Sequence, residues 1–393
     1  MNRTRPSLLL VTIACGCLVA LASANPRDLS AQASPKSAVE FLRASAAPAD
    51  YVLSRFASHK VVLMGEAHWV KHDVDLLANV VSRLPESNVN TFAAEWLPAR
   101  EQQHIDSLIN SREWNQAAAV SILRAAAWPY REYLNVLHEA WAANRRRGPG
   151  KPELKVLALG PEPDWRKQLL PLGKTYDSYM AELVIKRIEE SPQNRVLVGL
   201  GFHHAFTRYL QPDLPGGSRA TRFNDRTGNV LWRALGENVF MIVLHHPWYC
   251  RSGTMWGRCL PLDGAVDCAA ISAGGHPVGF DIANSPFAEM RIEPGVWYSA
   301  GYPFLRFDAL ADGYVWTQPI DSYANATLLP LDVFAPDEKS LGEVLANNPV
   351  SDAPAKTRDE LAAQWKAHEA DLANALVYRH WDSLGDWRGR CPH

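Results

Sequence analysis

Short, strongly apolar segments recur along the chain up to about residue 250, and helical stretches separate most of them. Each segment is too short for a typical helix and rich in β-branched side chains, which favours a strand buried on both faces of a sheet. Strands that alternate with helices predict a three-layer α/β fold with a mostly parallel sheet flanked by helices. The predicted strands cover residues 61–64, 89–94, 154–159, 195–200 and 238–244.

Two regions depart from this alternation. Residues 99–144 have helical periodicity without a strand, which predicts a helical insertion beside the sheet. After residue 247 the periodicity weakens, although segments 296–307 and 313–317 have a strand-like composition. We therefore predict one α/β domain over residues 36–250 and a disulfide-tied C-terminal extension, 251–393, packed on the same domain.

Residues 1–24 have the pattern of a cleavable signal peptide. Two arginines precede an apolar stretch, and a small-residue cleavage site follows before Asn25. The apolar stretch is too short to span a bilayer comfortably, so we predict a periplasmic or secreted mature chain without a transmembrane segment. Lipoprotein cleavage before Cys15 or Cys17 is the less favoured alternative, because the residues that precede them fit poorly.

The composition narrows the compartment and the partners. The chain is 47% hydrophobic and 21% charged with a net charge of −2 and no basic stripe, so we predict no nucleic-acid partner. An even number of cysteines in an exported chain predicts disulfide bonds, and the sequence leaves all three pairings open. The four cysteines of the mature chain are Cys250, Cys259, Cys268 and Cys391.

Acids and histidines follow all five predicted strands. Because the carboxyl ends of parallel strands meet at one edge of a sheet, we expect these side chains to converge there. The chain has no Gly-x-Ser-x-Gly nucleophile motif, so the predicted nucleophile is water. In chain order the candidates are Glu66 and His68, Glu95, Glu162 and Asp164, His203 and His204, and His245 and His246.

Four of these candidates are predicted to form the site: Glu66, His68, Glu95 and His204. The Gly-Glu-x-His turn after the first strand has no packing purpose, and an acid directly after apolar residues requires a partner. Such a set could ligate a divalent ion, such as zinc, manganese or cobalt, or transfer protons to and from a bound water without a metal. The alternative histidines are His203, His245 and His246.

With these residues the chain resembles a superfamily that groups ChaN-like haem-binding lipoproteins, erythromycin esterases and TIKI-type metalloproteases. The resemblance covers roughly residues 45–210. Residues 62–68 resemble its first motif, 94–98 its ChaN-like second motif, and 198–204 its third, glycine-rich motif. That third motif usually has glycine directly before its histidine, whereas this chain has Gly-Phe-His-His. Either histidine could therefore be the counterpart, and the register favours the second.

The resemblance implies two functions without fixing a substrate. One is a hydrolase of esters, such as lactones, or of peptides, in which His68 or a bound metal activates water. The other is a haem or iron-binding protein of the ChaN type; the sequence does not fix its axial ligand, and Tyr209 is one candidate. A third class, a non-catalytic binding module, is disfavoured because unpaired acids at a sheet edge cost stability.

Overall fold

A seven-stranded sheet organises the computed structural model, which describes residues 35–213, 223–252 and 255–391. The predicted signal peptide lies outside the described residues. The described strands are β1 (Val61–Glu66), β2 (Thr91–Pro98), β3 (Lys155–Gly160), β4 (Val196–Gly201), β5 (Gln211–Pro212), β6 (Phe223–Asn224), β7 (Val239–Leu244), β8 (Trp248–Ser252), β9 (Met255–Cys259), β10 (Val278–Asp281) and β11 (Gly313–Trp316).

The sheet has the strand order β10-β11-β7-β1-β4-β2-β3. Every neighbouring pair is parallel except β10 and β11, which are antiparallel. The five strands predicted from apolar segments are all present, as β1, β2, β3, β4 and β7. Since β1 is flanked by β4 and β7, its carboxyl end lies between theirs.

Helices cover both faces of this sheet. The described helices are α1 (Pro35–Ala44), α2 (Pro48–Ser54), α3 (Lys71–Ser82), α4 (Gln102–Asn110), α5 (Gln116–Ala125), α6 (Arg131–Arg146), α7 (Trp165–Leu169), α8 (Tyr176–Glu189), α9 (Thr227–Leu235), α10 (Ala265–Ser272), α11 (Phe307–Leu310), α12 (Leu331–Phe334), α13 (Glu338–Ala346), α14 (Arg358–Leu372) and α15 (Ala375–Tyr378). None of them is long and apolar enough to cross a membrane.

Alternating side chains of each central strand enter two different cores. In β1, Val62 and Met64 pack with α3 and α6, whereas Val61 and Leu63 pack with α8 and α9. Both faces are therefore buried, which explains why these strands are continuously apolar in sequence. Helices α4, α5 and α6 form the predicted insertion between β2 and β3, so the three-layer α/β fold is confirmed.

The C-terminal part of the chain contributes strands to the same sheet. The prediction at 313–317 is confirmed as β11, but the prediction of a strand at 296–307 is wrong. That segment is irregular and contains a 3-10 turn, Trp297–Ser299, because local backbone hydrogen bonds replace strand pairing. Most of its large apolar side chains still enter the core, whereas Phe304 is exposed. A disulfide bond joins Cys268 of α10 to Cys391.

The other two cysteines of the described chain are free thiols. Cys250 lies on β8 and Cys259 on β9, and these two strands form a separate antiparallel hairpin. Sequence reasoning predicted no strands in this stretch. Each strand of this hairpin is only five residues long, so the alternation of apolar and polar residues is too short to distinguish it from a loop.

Candidate active site

Glu66 is the last residue of β1, and His68 follows on the loop that leads to α3. Glu66 Oε1 accepts a hydrogen bond from His68 Nδ1 over 2.9 Å and another from the Tyr133 hydroxyl over 2.7 Å. Next to His68 the chain turns at Trp69, whose φ of 64° is rare for a bulky residue. Because a carboxylate only accepts, the proton of neutral His68 lies on Nδ1, and Nε2 keeps its lone pair.

A second carboxylate–imidazole pair follows β4. His204 lies on the 3-10 turn Phe202–Ala205, and its Nδ1 is 2.6 Å from Asp177 Oδ1 of α8. Asp177 also accepts hydrogen bonds from the Thr227 amide, over 2.8 Å, and from the Thr227 hydroxyl, over 2.9 Å. The N-terminus of α9 therefore holds the carboxylate that orients His204, again leaving Nε2 as the free ring nitrogen.

Glu95 of β2 lies between the two imidazoles. Its Oε1 is 3.4 Å from His204 Nε2, and its Oε2 is 4.0 Å from His68 Nε2. The Gly201 amide donates to Oε2 over 2.6 Å. The two histidines thus present equivalent nitrogens to one buried carboxylate.

Gly201 permits this close approach. A Cβ atom at this position would lie 2.7 Å from His68 Nε2 and 3.4 Å from Glu95 Oε2. Any larger residue at the end of β4 would push His68 away from the position that it occupies between β1 and β4. The glycine before the two histidines is therefore part of the site, and it contributes a backbone donor as well as space.

Glu66, His68 and His204 line a cavity of about 550 Å³, and Asp177 lies behind His204. The side chains of His68 and His204 remain 30% and 22% exposed, so both imidazoles are accessible from it. Its walls are largely aromatic, with two arginines. The lining residues beyond the two pairs are Ala67, Trp69, Gly201, Phe202, His203, His246, Pro247, Tyr249, Arg258, Tyr298, Tyr378, Arg379, His380 and Trp381.

Both histidines favour the protonated form more than a free imidazole does. Burial lowers the pKa of His68, but the Glu66 hydrogen bond and the Glu95 charge outweigh it, so the pKa lies above 6.5. The same holds for His204: burial lowers its pKa, but Glu95 and Asp177 raise it by more, so the pKa is raised overall. In return, His204 lowers the pKa of Asp177 against the opposing effect of burial.

The alternative histidines occupy other surroundings. His203 lines the cavity, but its Nε2 contacts the Tyr298 hydroxyl at 3.0 Å, and burial holds its pKa well below the usual range. His246 lies in the cavity wall with Nδ1 donating to the Leu244 carbonyl, and burial lowers its pKa to about 3. Neither is paired with a carboxylate, in contrast to His204.

His245 is fully buried behind the cavity. Its Nε2 is 2.9 Å from Asp267 Oδ1, and its Nδ1 is 2.6 Å from the Tyr314 hydroxyl. Asp267 also accepts a hydrogen bond from the Trp316 indole over 3.1 Å. This group ties α10 to the sheet and has no access to the site.

Three further candidates do not line the cavity. Glu162 forms a salt bridge with Arg100 at 2.7 Å, and Asp164 accepts a hydrogen bond from Gln168. Tyr209 is buried in the core, where its hydroxyl donates to the Tyr298 carbonyl over 2.6 Å, and burial raises its pKa.

Sequence reasoning missed the groups that orient the site. Asp177 lies near the start of a helix, where acids are common for electrostatic reasons, so nothing local distinguishes it. Tyr133 lies on the predicted helical insertion, far from Glu66 in sequence. Arg379, whose Nη2 donates to the His68 carbonyl over 2.9 Å, lies 311 positions away. Each contact depends on tertiary structure alone.

A metal would need at least three suitably placed donors. Within residues 35–213, 223–252 and 255–391, no group of three or more histidine, cysteine, aspartate or glutamate side chains is arranged to hold a metal ion. We therefore derive no reaction step through a metal.

The fold and this geometry define an α/β protein with an acid–imidazole site at the carboxyl ends of parallel strands. No protein-family model matches the sequence, and no curated protein matches it. Several solved structures are similar to this chain. An erythromycin esterase variant, EreC in its open conformation, is 11% identical with a TM-score of 0.45, covering 71% of this chain and 94% of its own.

Two other structures show the range of similar proteins. A succinoglycan biosynthesis protein is 11% identical with a TM-score of 0.49, covering 74% of this chain and 98% of its own. ChaN of Campylobacter jejuni, described with cofacial haem binding, is 14% identical with a TM-score of 0.30. The match covers 49% of this chain and 84% of ChaN.

Proposed function

We propose that this chain is a hydrolase that activates water to cleave an ester or a peptide bond. One observation supports the proposal: two imidazoles, each oriented through Nδ1 by its own carboxylate, direct Nε2 towards Glu95 beside an accessible cavity. A carboxylate that orients an imidazole in this way is how enzymes prepare histidine for proton transfer.

The two histidines take different roles in this proposal. Neutral His68 accepts a proton from water at Nε2 as the oxygen adds to the substrate carbonyl. His204 lies closer to its two carboxylates, Asp177 at 2.6 Å and Glu95 at 3.4 Å, than His68 does to Glu66 at 2.9 Å and Glu95 at 4.0 Å. It is therefore the histidine better suited to remain protonated. Its Nε2 proton passes to the leaving group as the bond breaks, giving an acid and an alcohol or amine.

We further propose that the mature chain works outside the cytoplasm. The Cys268–Cys391 disulfide supports this, because such bonds persist mainly in oxidising compartments. Mass spectrometry of the protein recovered from a periplasmic or secreted fraction would test both the disulfide and the predicted cleavage before Asn25.

The first test is hydrolysis of 4-nitrophenyl acetate and butyrate, followed by a panel of lactones and peptides. For any substrate that is turned over, His68→Gln is expected to lower kcat about 10²–10⁴-fold, because it removes the general base. The matched control is His104→Gln, which removes an exposed histidine paired with Glu101 at 2.7 Å, outside the cavity. Circular dichroism confirms that each variant is folded.

Retained activity in folded His68→Gln and Glu66→Gln would contradict the proposal. Two alternatives remain to be tested by elemental analysis of protein purified without chelators. Near-stoichiometric zinc, manganese or cobalt would support a metal-dependent hydrolase. Iron with a shifted Soret band on haemin titration would support haem binding.

A further inference from the structure

Two arginines line the cavity. Among the described residues, neither Arg258 nor Arg379 forms a salt bridge. Most arginines that face a protein interior are paired, because an uncompensated buried charge is costly. An unpaired cation in a cavity wall is therefore suited to an anion that arrives with a ligand.

The side-chain hydrogen bonds of Arg379 go to neutral groups. Its Nε donates to Asn325 Oδ1 over 2.6 Å, and one Nη2 proton goes to the His68 carbonyl over 2.9 Å. Its guanidinium also lies 5.1 Å from the centre of the Trp381 ring. These contacts use two of the five N–H donors of the side chain. Burial lowers the pKa of Arg379 and the buried Asp73 raises it, but burial also raises the pKa of Asp73 itself well above its usual range, which favours its neutral form.

Arg258 reaches the cavity from the β8–β9 hairpin. Its guanidinium stacks on Tyr249 of the paired strand, 3.3 Å from the ring centre. Stacking leaves the edge of a guanidinium free to donate hydrogen bonds to a carboxylate. Both arginines act electrostatically on His246, which lies in the same cavity wall.

We propose that Arg258 and Arg379 bind a carboxylate group on the substrate of the Glu66/His68 site. The aromatic walls would then contact the apolar part of that substrate, and the carboxylate would place its scissile bond beside His68. The preferred substrate class is an ester with one carboxylate, because a more highly charged anion would meet the nearby carboxylates of Glu66 and Glu95. This assignment rests on the proposed hydrolase, since it concerns the substrate of that reaction.

Binding is measured apart from turnover, by calorimetric titration with 4-hydroxybenzoate and its neutral analogue 4-hydroxybenzamide. In the wild type the carboxylate is expected to bind at least about tenfold more tightly, as one or two charge-assisted hydrogen bonds would give. In Arg258→Gln this preference is expected to disappear. The matched control, Arg251→Gln, changes an exposed arginine on the same hairpin and is expected to keep the preference.

Equal binding of the two ligands in the wild type would overturn the proposal, as would an undiminished preference in Arg258→Gln or an equal loss in Arg251→Gln. If Arg258→Gln does not fold, Arg379→Lys supplies the test, because lysine keeps the charge but not the planar donor pair, and a reduced preference is expected.

Hydrolysis is then measured with 4-acetoxybenzoate and 4-acetoxybenzamide, which differ only in this charge. A higher kcat/KM for the carboxylate, lost in Arg258→Gln, is the expected result. Selective binding of 4-hydroxybenzoate without hydrolysis of either ester or of the wider panel would refute the hydrolase and leave an anion site. Hydrolysis of both esters at equal kcat/KM would refute the carboxylate site alone.

Discussion

Two strand ends carry the same local sequence feature, a pair of adjacent histidines after a buried apolar strand, yet they differ in what lies over them. After β4, His204 reaches both Asp177 and Glu95 and is open to the cavity. After β7, His245 is enclosed by α10 and by aromatic side chains. The covering elements, and not the doublet, decide which imidazole can meet a substrate.

The difference also separates two uses of a carboxylate–imidazole pair. The Asp177–His204 pair has one free ring nitrogen that faces another acid, so its geometry suits proton transfer. In the Asp267–His245 pair, Nε2 lies 2.9 Å from Asp267 and Nδ1 lies 2.6 Å from the Tyr314 hydroxyl, and both nitrogens are buried in the core. A pair enclosed in the core can contribute to stability, but it cannot exchange a proton with a substrate in the cavity.

The buried pair should give the largest effect when it is broken. Asp267→Ala leaves His245 and the Trp316 indole without their shared partner, and we expect the free energy of unfolding to fall by about 3–5 kcal/mol. Urea unfolding followed by tryptophan fluorescence measures this. Asp225→Ala, which breaks an exposed pair with Arg233, is the control and should cost about 1 kcal/mol or less. Similar losses in both variants would contradict the distinction.

The open pair should affect catalysis more than stability. Asp177→Asn removes the charge that orients His204, and we expect kcat to fall about 10²-fold or more, by analogy with other oriented imidazoles. Asp50→Asn is the control, since Asp50 lies at the start of α2 in an exposed pair with Arg83. A normal kcat in folded Asp177→Asn would show that His204 does not need its carboxylate.

NMR titration distinguishes the histidines without any substitution, so it is the mildest of these tests. In NMR titrations we expect His68 and His204 to have pKa values above 6.5 and His246 one near 3. Folding raises the pKa values of His68 and His204. The stability that these two residues add is therefore complete below pH 6.5, and it is lost as the pH rises through their pKa values in the folded protein. Neutral His68 is the base, so kcat/KM should fall on the acid side of its pKa.

Glu95→Gln sharpens this test because it removes a charge that raises the pKa of both open histidines. Their titrations should move to lower pH, whereas that of His246 should not move. Glu101→Gln, beside the exposed His104, is the control and should leave all three unchanged. An equal displacement in the two variants would mean that Glu95 does not act directly.

The sequence was sufficient to predict the central sheet and the strand ends that bear acids and histidines. Strands buried on both faces are continuously apolar, so β1, β4 and β7 are recognisable without any partner. The convergence of Glu66, His68, Glu95 and His204 also follows from parallel topology, because it requires only that the strands share a direction.

The remaining features depend on contacts that no local pattern encodes. Segment 296–307 is as apolar as a strand but buries its side chains from an irregular backbone. The choice between His203 and His204 depends on the 3-10 turn after β4, which directs one ring to Tyr298 and the other to Asp177. One turn geometry, invisible in composition, thus separates the two neighbours.

The position of Arg379 has a consequence for the order in which the molecule folds. Its hydrogen bond to the His68 carbonyl spans 311 positions, whereas the paired residues Val61 of β1 and Val239 of β7 are 178 positions apart (239 − 61). Contacts that close such long loops carry a high entropic cost and tend to form late. We therefore expect the sheet and both carboxylate–imidazole pairs to assemble before this wall docks. At that stage the catalytic groups would already be in place, but the cavity would still lack the wall that carries Arg379. The chain would therefore become reactive before it becomes selective for its substrate.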